Sequence, residues 1–291
     1  MQVLANGLRL EYDTFGERSA KAILLISGLN TPMTRWTDAF CTRLADHDHY
    51  VIRFDNRDCG LSQHFDQCQP PNGLKIIIAQ LLGLKIRLPY TVYDMVNDAV
   101  GLLDVLEIQQ AHVIGRSMGG MIAQLMAVQY PERVERLSLI MTSSGNRMRS
   151  FPELKVLQFL MARKPNPRSN LAGFLKYRVG YTKAIGSKKY PLDDFFIRSR
   201  VMADIRRSGF HPGSARRQFA ALLAAGDITR LSKRISVPTT IIHGDADPLV
   251  PLRSGLYVHK HIKNAHLTII ENMGHALQPQ FYGQIVSALL G

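Results

Sequence analysis

The sequence predicts an α/β fold, a mostly parallel, doubly wound sheet that carries an inserted helical cap. Three observations lead to it. Unbroken apolar runs read as strands buried on both faces, helical periodicity lies between them, and one long central stretch holds helical patterns without a strand.

In chain order, residues 3–5 and 8–12 flank Asn6-Gly7, the dipeptide suited to the two left-handed positions of a tight hairpin turn, and so predict a hairpin. Ala22-Ile23-Leu24-Leu25-Ile26 is continuously apolar and predicts the first central parallel strand. Runs at 50–54, 111–114, 137–140, 239–242 and 267–270 predict five more. Helical patterns separate them, at 34–45, 91–106, 120–130, 252–261 and 280–290. From 144 to 236 the alternation stops, with helical patterns at 154–163, 171–177, 193–207 and 216–225. Residues 1–143 and 237–291 therefore read as the core. Residues 144–236 read as a cap over the carboxyl ends of the strands, where ligands bind in open α/β folds. A second irregular stretch, 62–89, contains an apolar piece at 74–84 that reads either as a short helix at the pocket mouth or as a segment that only fills core.

Composition narrows the class. A chain of 291 residues, 46% apolar, is long enough for one large core and far from disordered composition. The longest apolar candidate, 76–82, is too short to span a bilayer. No basic segment followed by an apolar one opens the chain, so the expectation is a cytoplasmic protein. Cys41, Cys59 and Cys68 lack metal spacing and read as reduced thiols, and His47, His49, His64 and His211 show no ligand spacing; no metal and no cofactor is expected. The net charge of +13 is unevenly placed. Between Ser144 and Ser236 stand 20 basic and 5 acidic residues, which leaves 16 and 18 for the rest of the chain. Such a basic cap is consistent with a solvated lid or with attraction of anionic substrates or surfaces. No nucleic-acid motif accompanies it, so no nucleic-acid partner is expected.

The chemistry centres on Gly115-Arg116-Ser117-Met118-Gly119, which follows one predicted strand and opens a helix. A strand that turns sharply into a helix at G-x-S-x-G is a nucleophile elbow. The glycines leave room for a strained backbone, and the helix N-terminus favours developing negative charge at Ser117. A serine hydroxyl needs a general base held by a third group. Candidates follow the two last predicted strands: an acid within His243-Gly244-Asp245-Ala246-Asp247-Pro248, and a base in Met273-Gly274-His275. All three segments lie at one edge of the sheet, in the chain order Ser…Asp…His.

On these residues the chain resembles the α/β-hydrolase superfamily over essentially its full length. Within it, Phe54-Asp55-Asn56-Arg57-Asp58, the segment Gly115 through Gly120 and Met273-Gly274-His275 are similar to the aclacinomycin-methylesterase-like carboxylesterases. The resemblance implies an α/β-hydrolase fold, Ser117 as nucleophile, His275 as base, and Asp247, last in Gly244-Asp245-Ala246-Asp247, as acid. It also implies an oxyanion hole from the amides of Met118 and Leu29, although many members carry His-Gly where this chain has Ser27-Gly28. Asp55, Arg57 and Asp58 then read as a structural turn. Arg116, unusual beside a nucleophile, reads as one half of a buried ion pair or as a substrate contact. The function expected is cofactor-independent hydrolysis of a small-molecule carboxylic ester through an acyl-Ser117 intermediate. Perhydrolase or haloperoxidase, lactonase and carbon–carbon hydrolase chemistry would use the same groups. A non-catalytic binder recruited through its basic cap is the rival from another class.

Overall fold

The structure, a computed structural model, describes residues 1–82, 84 and 86–291. Eight strands form one sheet: β1 Gln2–Ala5, β2 Leu8–Phe15, β3 Lys21–Ile26, β4 His49–Phe54, β5 Ala111–Arg116, β6 Val134–Ile140, β7 Thr239–Gly244 and β8 His266–Ile270. Their spatial order is β1-β2-β4-β3-β5-β6-β7-β8. The first two strands pair antiparallel, β2 pairs antiparallel with β4, and every pair from β4 to β8 is parallel. Asn6 and Gly7 take φ values of 49° and 71°, the left-handed conformation the hairpin turn requires. The central strands β3, β5 and β7 are buried along nearly their whole length, which is why each centres on apolar residues.

Helices α1 Asp38–Ala45 and α11 Tyr282–Leu290 cover one face of the sheet. Helices α3 Val92–Val105, α4 Met118–Gln129 and α10 Leu252–His261 cover the other. The pattern at 34–45 is broken in the fold: a short 3-10 turn at Met33–Arg35 precedes α1, and Trp36 and Thr37 are extended between them. The break lets Trp36 bury fully and stack on Phe40, with centroids 5.4 Å apart, while the Thr37 hydroxyl accepts the Phe40 N–H and caps α1. Within the irregular stretch 62–89, α2 Gly73–Leu81 forms and packs on α8; Gly83, inside the expected 74–84 piece, and Lys85 lie outside the described residues.

Five helices stand between β6 and β7: α5 Leu154–Met161, α6 Leu171–Ile185, α7 Asp194–Ser208, α8 Ser214–Ala225 and the single turn α9 Thr229–Ser232. They enclose a small apolar centre of their own around Phe174, Val179, Ile197 and Val201. Their attachment to the sheet is ionic. The Arg217 guanidinium on α8 donates bidentately to Asp58, at 2.6 and 2.8 Å, with both side chains buried. Arg207 on α7 donates to Asp55 at 2.7 Å. Asp58 also accepts from Tyr90 and Ser214, and the neighbouring Arg57 is itself held by Asp98 at 2.6 and 2.7 Å.

Removing one member of a buried pair leaves an uncompensated charge, at a cost of about 3–5 kcal/mol. Arg217→Met is therefore expected to unfold at clearly lower urea concentration than the wild type. Burial alone would raise the Asp58 carboxyl, but hydrogen bonds from Arg217, His64, Tyr90 and Ser214 outweigh it and hold the group far below its ordinary 3.8. A carboxyl lowered on folding contributes stability that is complete above 3.8 and is lost as pH falls toward the folded value. Urea midpoints should accordingly drop below that pH. Asp58→Asn should start lower and fall less over the same range, and parallel acid profiles would refute the linkage.

Candidate active site

The strand order reverses between β3 and β5: β4 lies to one side of β3 and β5 to the other. In an open parallel sheet this is where a crevice opens at the carboxyl ends of the strands. Ser117 stands there, between β5 and α4, with φ 52° and ψ −123°. This is a left-handed conformation that a serine adopts only when its surroundings impose it. Its N–H donates to Ile140 O at 3.0 Å, and its carbonyl accepts the Thr142 hydroxyl at 2.6 Å. The glycines at positions 115, 119 and 120 are demanded by close approach. A Cβ on Gly119 would strike the Ile26 carbonyl, one on Gly115 the Gly119 carbonyl, and one on Gly120 the Thr142 side chain.

The loops after β7 and β8 bring two further groups to the same edge. His275 Nε2 accepts from the Ser117 hydroxyl at 3.0 Å, and His275 Nδ1 donates to Asp247 Oδ2 at 2.7 Å. The other Asp247 oxygen accepts the N–H groups of Leu249 and Val250, both at 2.9 Å, so a fully buried carboxylate is aimed at one target. Asp245, two residues earlier, is exposed and turns away to accept the Asn272 N–H at 2.6 Å. The β3 turn completes the constellation: a Cβ on Gly28 would stand 3.1 Å from the Ser117 Cβ. Among the described residues, the Leu29 and Met118 amides have no protein acceptor. Ser27, at the position where many relatives carry histidine, is buried with an unpartnered hydroxyl, and its carbonyl accepts from Asn56 at 3.0 Å.

Several supporting residues escaped the sequence reading because their partners are more than eighty positions away. Buried Gln218 on α8 accepts the Asn30 N–H at 2.7 Å and donates to the Arg57 carbonyl at 2.8 Å, tying the Leu29 turn to the inserted helices. The His275 N–H donates to Ile185 O at 2.6 Å, and Gln278 accepts the Ser187 N–H at 2.9 Å. The histidine loop is thus fastened to the end of α6. Asp55 and Asp58, read as parts of a structural turn, are also the anchors of Arg207 and Arg217.

The ion-pair reading of Arg116 is not met: among the described residues it has no carboxylate partner, and its guanidinium lies over the Trp36 ring, 5.1 Å from the centroid. The histidines behave differently from one another. His112 is buried against the Ser138 hydroxyl at 2.8 Å, and burial first, then Arg136, pushes its pKa down to about 3. His64 and His211 stack, and with Asp66 they place three potential ligand atoms within 4.8 Å, a grouping invisible in sequence spacing. One nitrogen of each ring faces a backbone carbonyl, Gly60 or Ser208, and must carry a proton there; Asp66 receives His211 and Arg217.

Residues 21–282 match the sequence model of the alpha/beta hydrolase fold family, and the chain belongs to that family. Among curated proteins it is similar to the rhodomycin D methylesterase DauP of Streptomyces sp. (strain C5), with 26% identity over 94% of this chain and 91% of that one. It is also similar to a 2-hydroxymuconate semialdehyde hydrolase of Pseudomonas sp. (strain CF600), with 31% identity over 66% of this chain and 65% of the other. Among solved structures, the meta-cleavage product hydrolase CumD of Pseudomonas fluorescens IP01 superposes with a TM-score of 0.74 at 22% identity, covering 99% and 96% of the two chains.

The glycine contacts yield a direct test. Gly119→Ala is expected to fail to reach the native fold, because its Cβ meets rigid backbone. Gly283→Ala on α11, where a Cβ meets nothing within 4 Å, should gain about 0.5–1 kcal/mol from helix propensity. Comparable urea midpoints for the two variants would contradict the packing at the turn.

Proposed function

We propose that the protein is a cofactor-independent serine hydrolase that cleaves small-molecule carboxylic esters. The observation that carries this reading is the hydrogen-bonded run from Ser117 through His275 to buried Asp247 at the switch point of the sheet. His275 Nε2 takes the Ser117 proton as Oγ attacks the ester carbonyl, and Asp247 stabilises the imidazolium at Nδ1. The Met118 and Leu29 amides receive the tetrahedral oxyanion. His275 then returns the proton to the departing alcohol, and a water activated by the same base releases the acid from acyl-Ser117. Residues 144–236 act in this reading as a cap over the site. The methylesterase relatives support ester cleavage, and the semialdehyde hydrolases carry the same fold to a different bond. A panel of 4-nitrophenyl esters and lactones therefore belongs in the first assay.

Ser117→Ala should lower ester turnover by about 10³-fold or more while leaving the urea midpoint close to that of the wild type. A variant that kept a tenth of the activity would remove the nucleophile assignment. Asp247→Asn should cost roughly 10³–10⁴-fold through the wrong tautomer and an unstabilised imidazolium. Asp245→Asn, which only loosens a turn, should cost about tenfold or less. A larger loss at position 245 would reverse the choice of acid. Gln218→Leu frees the turn that presents the Leu29 amide, and its loss should fall on kcat rather than KM, by about tenfold.

A further inference from the structure

Two arginines of the inserted helices are matched by acids of the core: Arg207 by Asp55, and Arg217 by Asp58 and Asp66. In a second group, around Arg116, three of four arginines are not. Arg116 immediately precedes the serine and rests on the Trp36 ring. Arg35, in the turn after β3, pairs with Asp204 on α7. Arg200, one helical turn before Asp204, donates to the Thr34 carbonyl at 2.9 Å. Arg178 on α6 has a buried Nε without any partner. Among the described residues, Asp204 is the one carboxylate within ion-pair distance of any of these four guanidinium groups.

The groups are close enough to act on one another. Burial, then the charges of Arg35 and Arg200, push the Arg116 pKa down to about 9. Burial and Arg35 lower Arg178 and Arg200 in the same way. Arg178 is also placed near the Ser117–His275–Asp247 run, since the nearby Tyr181, pushed up to about 12 chiefly by burial, feels both Arg178 and Asp247. Three half-buried guanidinium groups with no carboxylate of their own are costly in a folded chain. Their planar forks match a carboxylate and are weakly hydrated, so an enclosed anion would relieve that cost at once.

We propose that Arg116, Arg178 and Arg200 form a carboxylate-binding subsite beside Ser117, and that the ester cleaved carries a second, free carboxylate. This rests on the hydrolase reading above and names its substrate class. Arg116 directly precedes Ser117, with Cα atoms about 3.8 Å apart, so a short acyl chain can reach from the nucleophile to a carboxylate held at these guanidinium groups. A half-ester of a short dicarboxylic acid has that geometry. The free carboxylate takes no part in bond making or breaking; it orients the acyl chain against the arginines while Ser117 attacks the other end.

The test compares mono-4-nitrophenyl glutarate with its neutral methyl ester, and follows glutarate binding to Ser117→Ala by calorimetry. The wild type should favour the half-ester in kcat/KM by about tenfold or more, and Arg116→Met, Arg178→Met and Arg200→Met should each lower that ratio by about tenfold, mainly through KM. Arg116→Lys, which keeps the charge but loses the fork, should retain part of the preference and covers the case in which a methionine variant does not fold. Ser117→Ala should bind glutarate, and Ser117→Ala/Arg116→Met should not. Cleavage of both esters without preference, together with no glutarate binding, would overturn the subsite and leave the hydrolase reading standing. Glutarate binding without cleavage of either ester would do the reverse. Tighter binding of inorganic phosphate than of glutarate would overturn the carboxylate assignment.

Discussion

The constraint on which the rest of the structure depends is the left-handed backbone at Ser117. A non-glycine residue held there costs on the order of 1–3 kcal/mol, and it persists only where its surroundings over-determine it. Here the restraint comes from both sides. The Ile140 carbonyl and the Thr142 hydroxyl fix the peptide groups of Ser117, and the glycine contacts bring α4 hard against β3. The same turn sets where the Ser117 hydroxyl points, where the N-terminus of α4 begins, and how near the Gly28 turn can lie. Shape and reactivity at this edge are one packing problem.

The inserted helices complete the edge from above, and polar contacts align them. Arg207 and Arg217 grip Asp55 and Asp58, Gln218 spans the Asn30 and Arg57 backbones, and Ile185 and Ser187 hold the histidine loop. Apolar contacts would allow these helices to slide. Buried hydrogen bonds with fixed geometry do not, because each donor left without its acceptor carries a desolvation penalty. The loops that present His275 and Leu29 are therefore positioned by residues from three separate parts of the chain.

The strands and the principal candidates were legible because their signals are local. β3, β5 and β7 are buried on both faces and so are built around apolar residues, and G-x-S-x-G carries its own steric logic. Helix α6 runs to Ile185, beyond the expected 177, across Gly180, whose low helix propensity conceals a contact. A Cβ there would press on the Phe159 ring at 3.0 Å, so the glycine lets α5 and α6 approach. Asp247 and Asp245 are chemically identical, and only the fold separates the one that meets His275 from the one that caps a turn. The anchoring of Asp55 and Asp58 was illegible for a plainer reason: their arginines stand about 150 residues away, and nothing near either end marks the pairing.

Arg116 fits this logic in reverse. An arginine at the end of a buried strand suggests an ion pair, since a buried guanidinium without a counter-charge is unfavourable. The fold instead gives it an aromatic face and the company of other arginines. Asp204, the carboxylate that lies among these arginines, is engaged by Arg35, and Asp55 and Asp58 are engaged by Arg207 and Arg217. The chain thus spends its carboxylates on fastening the helices and leaves positive charge concentrated beside Ser117. A local rule broken without compensation inside the protein is what a binding site presents when its complement belongs to the ligand.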